Sequence, residues 1–238
     1  MVIELRPSVS HRTVRDPLEI QAFLGSITTW PRSLRRIAGN QGKATMTVER
    51  IIAAAGDAIA ERGIHRVTMR EVAARARLAV GNVTYYFETK EHLLEAVIES
   101  IGYEYVVALS RMFDAPAAVH LDRVVRYLIA AAHGKQRALL FNLWVMAHYE
   151  RRLRILLDRI YNSETRILCF ACKSAFGNLS DARARRMAFL IQAHIEGVLV
   201  LGDPARFNRA SLARLVREII AGARSAVLIK PVRPGRRS

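Results

Sequence analysis

In one short stretch of this chain, Asn82, Thr84, Tyr85, Tyr86 and Lys90 bring together an amide, three hydroxyls and an ammonium. Groups of this kind hydrogen-bond to phosphate oxygens and base edges, which is the chemistry of duplex recognition. Val83 and Phe87, four apart in the same stretch, share one helical face and can anchor it. Elsewhere, reactive groupings are missing. The seven His are scattered, with no H-E-x-x-H spacing, and there is no Gly-rich phosphate loop, G-x-S-x-G or Cys–His signature. No catalytic residue, metal or cofactor is therefore expected. Cys169 and Cys172 form a C-x-x-C on one helix face, but a zinc site needs about four ligands and there is no second pair. The pair reads as two small buried hydrophobes, with a redox switch as the alternative.

The elements that must position these groups follow from periodicity. From Met46 the pattern is helical. Val48, Ile51, Ile52, Ala55 and Ile59 make one stripe of a helix over Thr47–Arg62, and Gly63 is placed to end it in the left-handed conformation. Thr68 followed by Glu71 is a capping box, so a second helix starts at Met69. A turn around Arg77–Ala79 leads to a short helix, Gly81–Phe87, and Thr89 caps a long helix from Lys90 to about Phe113. Further helices are predicted over Ala117–Ala132, Gln136–His148, Arg151–Phe176, Asp181–Leu201 and Ala210–Leu228. No strand-type alternation is sustained, so the fold is all-α, with about nine helices. A capped helix, a tight turn and a short second helix make a helix-turn-helix over Thr68–Phe87, and a short helix fits a major groove about 12 Å wide.

At these residues the sequence resembles a known family. Residues 47–97 are similar to the DNA-binding domain of TetR-family repressors, most specifically in Gly81-Asn82-Val83-Thr84-Tyr85-Tyr86-Phe87, Thr89-Lys90-Glu91 and Leu93-Leu94. The resemblance implies phosphate or base contacts from Thr68 and Arg70. It implies groove reading from Val80, Gly81, Asn82, Thr84 and Tyr85, and phosphate grips from Tyr86 and Lys90. One departure stands out. The family often has Gly and then a small hydroxyl in the turn, where this chain has Ala76-Arg77-Leu78-Ala79. Either Arg77 accepts the backbone that glycine usually takes, or the turn is shaped differently.

Composition fits a folded cytoplasmic protein. The chain has 238 residues, 51% of them hydrophobic, and a net charge of +16, so it is no disordered polyelectrolyte. No stretch reaches the roughly 18 uncharged apolar residues of a membrane span. The most apolar window, Met187–Gly202, carries Gln192, His194 and Glu196. No secretory leader is read at the N-terminus. Residues 1–45, with three of the seven prolines, read as a mobile basic arm with one short helix around Leu18–Ile27, or as a miscalled start preceding Met46. The helix-turn-helix domain is placed at 46–92, an effector-binding and dimerisation domain at 93–229, and a basic tail at 230–238. Charge is uneven: 46–110 holds seven basic and nine acidic residues, whereas 111–229 holds nineteen and nine. A reading unit of net negative charge binds DNA weakly alone, and two copies on a palindrome offset that.

The last two helices are one-sided, with stripes that a monomer core or a dimer interface would both explain. The family resemblance implies a four-helix interface between two copies, through Leu190, Ile191, His194, Val198, Leu212, Leu215, Val216 and Ile219. It also implies an effector pocket in the body, with Phe141, Trp144, His148, Tyr149, Glu150, Tyr161 and Cys169 as candidates. Trp144, Tyr149 and Glu150 could cage a cation, and the region is weakly similar to choline-responsive members. The basic excess of the body argues instead for an anionic effector such as a fatty acid, and the choice stays open. The expected function is a ligand-responsive repressor that binds double-stranded DNA as a homodimer. An enzyme and a helical carrier or RNA binder are the competing classes.

Overall fold

The computed structural model describes residues 42–114, 116–131, 134–202 and 207–228. The expected short helix in the arm and the basic tail lie outside these residues. Nine α-helices are found among the described residues and no strand. They are α1 (Gly42–Arg62), α2 (Met69–Ala76), α3 (Val80–Tyr86), α4 (Lys90–Ser110), α5 (His120–Ala131), α6 (Gly134–Tyr149), α7 (Arg151–Ala175), α8 (Asp181–Leu201) and α9 (Arg209–Leu228). No helix among them is long and apolar enough to cross a membrane.

Local chemistry accounts for most boundaries. Gly63 ends α1 at φ 77°, the left-handed conformation that glycine tolerates. Thr68 caps α2 by accepting the Glu71 N–H at 3.2 Å, Thr89 caps α4 through His92 at 3.1 Å, and Ser180 caps α8 through Arg183 at 3.4 Å. Three expectations shift. Helix α1 begins at Gly42 instead of Thr47, because no proline or turn pair interrupts 42–46. Helix α4 stops at Ser110, and Arg111–Asp114 continue as a 3₁₀ turn. Pro116 precedes a second 3₁₀ turn, Ala117–Val119, so α5 starts only at His120.

Two main cores organise the molecule. The first joins α1, α2 and α3 to the start of α4, with Ile51, Ala55, Val72, Val83, Phe87 and Leu93 at its centre. The second fills the body around α7, which packs on α4, α5, α6 and α8. The head is not closed off at residue 92. Its core includes Ala96 and Val97 of α4, and also Leu139 of α6. Helix α6 lies on α1, so head and body share a packed seam.

Candidate functional site

The turn between α2 and α3 resolves the departure noted in the sequence. Arg77 takes φ 53°, ψ 49°, the left-handed conformation, and its N–H closes α2 on Ala73 and Ala74. Among the described residues it is the one non-glycine residue at positive φ, at a cost of about 1–2 kcal/mol against a residue in the right-handed well. Packing repays that strain. Helix α2 is tied to α1 by Arg75, which bonds Glu61 at 2.7 Å, and by Arg50, whose Nη2 donates to the Ala76 carbonyl at 2.5 Å.

The turn holds α3 with one face in and one face out. Val83 and Phe87 are both fully buried. On the other side Tyr85 is 81% exposed, and Val80, Gly81, Asn82 and Thr84 are exposed as well. Tyr86 is half-buried, packs on the head core and meets Tyr85 edge-on at 5.1 Å. The Thr84 hydroxyl folds back to the Val80 and Gly81 carbonyls at 3.2 Å each. That spends its proton on the helix and leaves its lone pairs outward. An added Cβ at Gly81 would meet nothing within 4 Å, so the fold itself does not demand glycine there. Ala79 provides no side-chain cap, and the first-turn N–H groups of Val80 and Gly81 sit at an exposed helix start.

Around α3, Thr68 and Arg70 are exposed at the start of α2, with Thr68 engaged as a cap. Lys90 is half-buried, and its Nζ donates to the His65 carbonyl at 3.1 Å. Of the expected contact residues, Thr68, Arg70, Val80, Gly81, Asn82, Thr84 and Tyr85 are exposed, and Tyr86 and Lys90 are half-buried.

A profile of the bacterial regulatory proteins of the tetR family matches residues 51–97, the span of this unit. The chain is a TetR-family transcriptional regulator. Over 169 residues this TetR-family chain is 29% identical to the HTH-type transcriptional regulator BetI of Paraburkholderia phymatum, covering 68% of this chain and 85% of that one. Its fold matches a TetR-family regulator of Mesorhizobium loti with TM-score 0.67 at 16% identity, covering 78% of this chain and 98% of the other. It also matches a regulator from Saccharomonospora viridis, solved in complex with choline, with TM-score 0.59 at 17% identity, covering 75% and 94% of the two chains.

In the body of this TetR-family regulator the effector candidates split into separate groups. Phe141 and Trp144 are half-buried and edge-on at 5.2 Å, and Trp144 Nε1 donates to Tyr161 Oη at 2.6 Å. Tyr149 is 79% exposed and meets exposed His148 at 5.0 Å, with exposed Glu150 next in the chain. The cage expected from Trp144, Tyr149 and Glu150 is not formed, because Trp144 turns inward to Tyr161 while Tyr149 faces solvent. Cys169 is half-buried against the body core. Burial pushes its thiol up to about 11 and that of Cys172 up to about 12, so both stay protonated and unreactive.

Sequence reasoning missed the polar cluster beside Tyr161. Glu164 is buried and accepts from Tyr105 Oη at 3.0 Å, Glu196 is held by the Tyr161 hydroxyl, and Thr165 donates to Gln192 Oε1 at 2.9 Å. The signal was present as acids and an amide inside apolar helical stretches.

Of the residues expected to pair two copies, Ile191, Val216 and Ile219 are buried in the chain's own core, because they lie on the sides of α8 and α9 that face α5, α7 and each other. Leu190, Val198, Leu212 and Leu215 are half-buried, and His194 is exposed, its Nδ1 2.6 Å from the Leu190 carbonyl. Beside them Phe189 is 66% exposed, Val200 51% and Leu201 90%. His194, Val198, Leu201 and Leu215, with Ala193, Gly197 and Phe207, border a shallow apolar groove.

Proposed function

We propose that the chain is a repressor that binds a twofold-symmetric operator as a homodimer and is released by a small-molecule effector held in its body. The observation that carries the reading is the two-sidedness of α3. Val83 and Phe87 are locked into the head, while Asn82, Thr84 and Tyr85 project from it on a helix short enough for the major groove. Val80, Gly81, Asn82, Thr84 and Tyr85 read bases, and Thr68, Arg70, Tyr86 and Lys90 hold phosphates. Gly81 lets the helix start approach the duplex, a reason for glycine that the fold does not supply.

Dimerisation runs through the outer faces of α8 and α9, with Leu190, His194, Val198, Leu212 and Leu215 joined by Phe189 and Leu201. Exposed leucine and phenylalanine in one stripe favour a second copy over water, and an isologous patch yields the symmetry of a palindrome. The effector acts on the body, and α4 carries its effect to the head, since α4 runs from Lys90 beside His65 to the polar cluster at Tyr105. A regulator of this kind works where the chromosome is, in the cytoplasm.

Selection from a pool of random-sequence duplexes tests the reading. Enrichment of a twofold-symmetric site, with two half-sites about one helical turn apart or a multiple of it, is the expected result. Recovery of the input pool without enrichment overturns it.

A further inference from the structure

Two carboxylates, Glu164 buried and Glu196 half-buried, lie within the helical body with no ion-pair partner among the described residues. Glu164 on α7 is 4% exposed. Glu196 on α8 lies beside the Tyr161 hydroxyl, and its Oε2 is buried without a hydrogen bond. Gln192, one turn before Glu196, is 8% exposed, and its amide Nε2 is likewise buried without a hydrogen bond. Among the described residues neither carboxylate forms an ion pair, although residues 111–229 hold nineteen basic groups against nine acids.

A core does not need this arrangement, since apolar residues of similar size in place of buried charge would be neutral or stabilising. The surroundings explain what it suits. Tyr105, Tyr161 and Trp144 stand around the two acids from α4, α7 and α6, and aromatic rings attract cations when water is excluded. We propose that Glu164 and Glu196 are the counter-charges of a site for a small organic cation, an amine or quaternary ammonium. Tyr105, Tyr161 and Trp144 form its aromatic walls, and Gln192 stands beside Glu164. The chemistry of the site stands alone; its regulatory role rests on the function proposed above. It also decides the effector's charge, which the basic excess of the body had left open.

In the unliganded pair, burial and then the neighbouring Glu196 raise Glu164 to about 8, and burial raises Glu196 to about 6. At neutral pH the pair therefore keeps a proton. The other titratable groups facing it are Tyr105 and Tyr161, with Tyr127 of α5 beyond at 6.1 Å from Tyr105. All three phenols are pushed above their usual range, so they remain neutral. An arriving cation takes the proton's place, and the proton passes from the carboxyl group to the buffer. Loss of that proton changes what Tyr105 Oη meets on Glu164, and Tyr105 belongs to the helix that begins at Lys90.

The test is calorimetric titration of the full chain at pH 7 in two buffers of different ionisation heat. The probes are tetramethylammonium, benzyltrimethylammonium and butylammonium, with tert-butanol and benzyl alcohol as neutral counterparts. Saturable binding of an ammonium ion with release of up to about one proton per site is expected, and no binding of the neutral compounds. Glu164→Gln and Glu196→Gln should each weaken binding by more than about tenfold, while melting at the same temperature as the unmodified chain or higher. Binding of no ammonium ion, or equal binding by the neutral compounds or by both Gln variants, overturns the proposal. A chain that still selects a symmetric duplex but binds no ammonium loses this inference alone. One that binds ammonium yet selects no duplex keeps the cation site and loses the repressor reading.

Discussion

Asn142 on α6 accepts the backbone N–H of Ile64 through Oδ1 at 3.1 Å, across 78 positions of sequence. Its own Nδ2 is fixed on the Ala138 carbonyl at 2.7 Å. The amide thus caps the turn that leaves α1 at Gly63 and fastens the reading head to the body. Ile64 is buried, so its N–H has no water to fall back on. Asn142→Ala is expected to destabilise the chain by about 1–3 kcal/mol in denaturant titration. Asn142→Asp keeps an acceptor at that place and should lose less.

Gly81 separates folding from recognition. Nothing lies within 4 Å of a Cβ added there, so Gly81→Ala should stabilise the head by about 0.5–1 kcal/mol through helix propensity. The same methyl stands between the helix start and a duplex, so affinity for the selected operator should fall. Melting temperature and operator affinity, measured on one preparation, are expected to move in opposite directions.

Leu201 is 90% exposed in the monomer. Leu201→Glu should leave monomer stability within about 0.5 kcal/mol and shift sedimentation from dimer to monomer. Ile191→Glu differs: its side chain is fully buried, so unfolding is expected in place of clean dissociation.

The two acids of the body make stability depend on pH. Glu164 and Glu196 have folded values raised to about 8 and about 6, above those of the unfolded chain. The folded state therefore binds more protons, and stability is fullest below about pH 4.5 for these two groups. It falls as pH rises through 6 and 8, by an amount on the order of a few kcal/mol. Thermal melts from pH 5 to pH 9 should show this decline, and Glu164→Gln should flatten its upper part.

How much of this was legible in the sequence depended on the range of the forces involved. Caps and terminators act within a turn of the chain, and Thr68, Thr89 and Gly63 could be read directly. The stripe of Val83 and Phe87 fixed which face of α3 turns inward, and Tyr85 followed as outward. Arg77 was legible only as a choice between two turns, because the left-handed backbone it adopts is enforced by the packing of α2 and α3 around it. Stripes on α8 and α9 named apolar positions but not which of them face α5 and α7 and which face away, so Ile191 and Leu190 could not be told apart. Glu164 and Glu196 were invisible as a pair: 32 positions separate them, and only the crossing of α7 and α8 brings them together. For the same reason nothing in the chain marked Asn142 as the partner of Ile64.

The central claim is that the outward face of α3 reads base sequence. Its most direct test compares the affinity of the unmodified chain, Asn82→Ala and Tyr85→Ala for the selected operator and for a scrambled duplex of equal length at one fixed salt concentration. Both substitutions lie on exposed positions, so folding should be untouched. The account predicts a loss on the operator of about 1–3 kcal/mol for a lost base contact, with little change on the scrambled duplex. Equal affinities of all three proteins for the operator would contradict it.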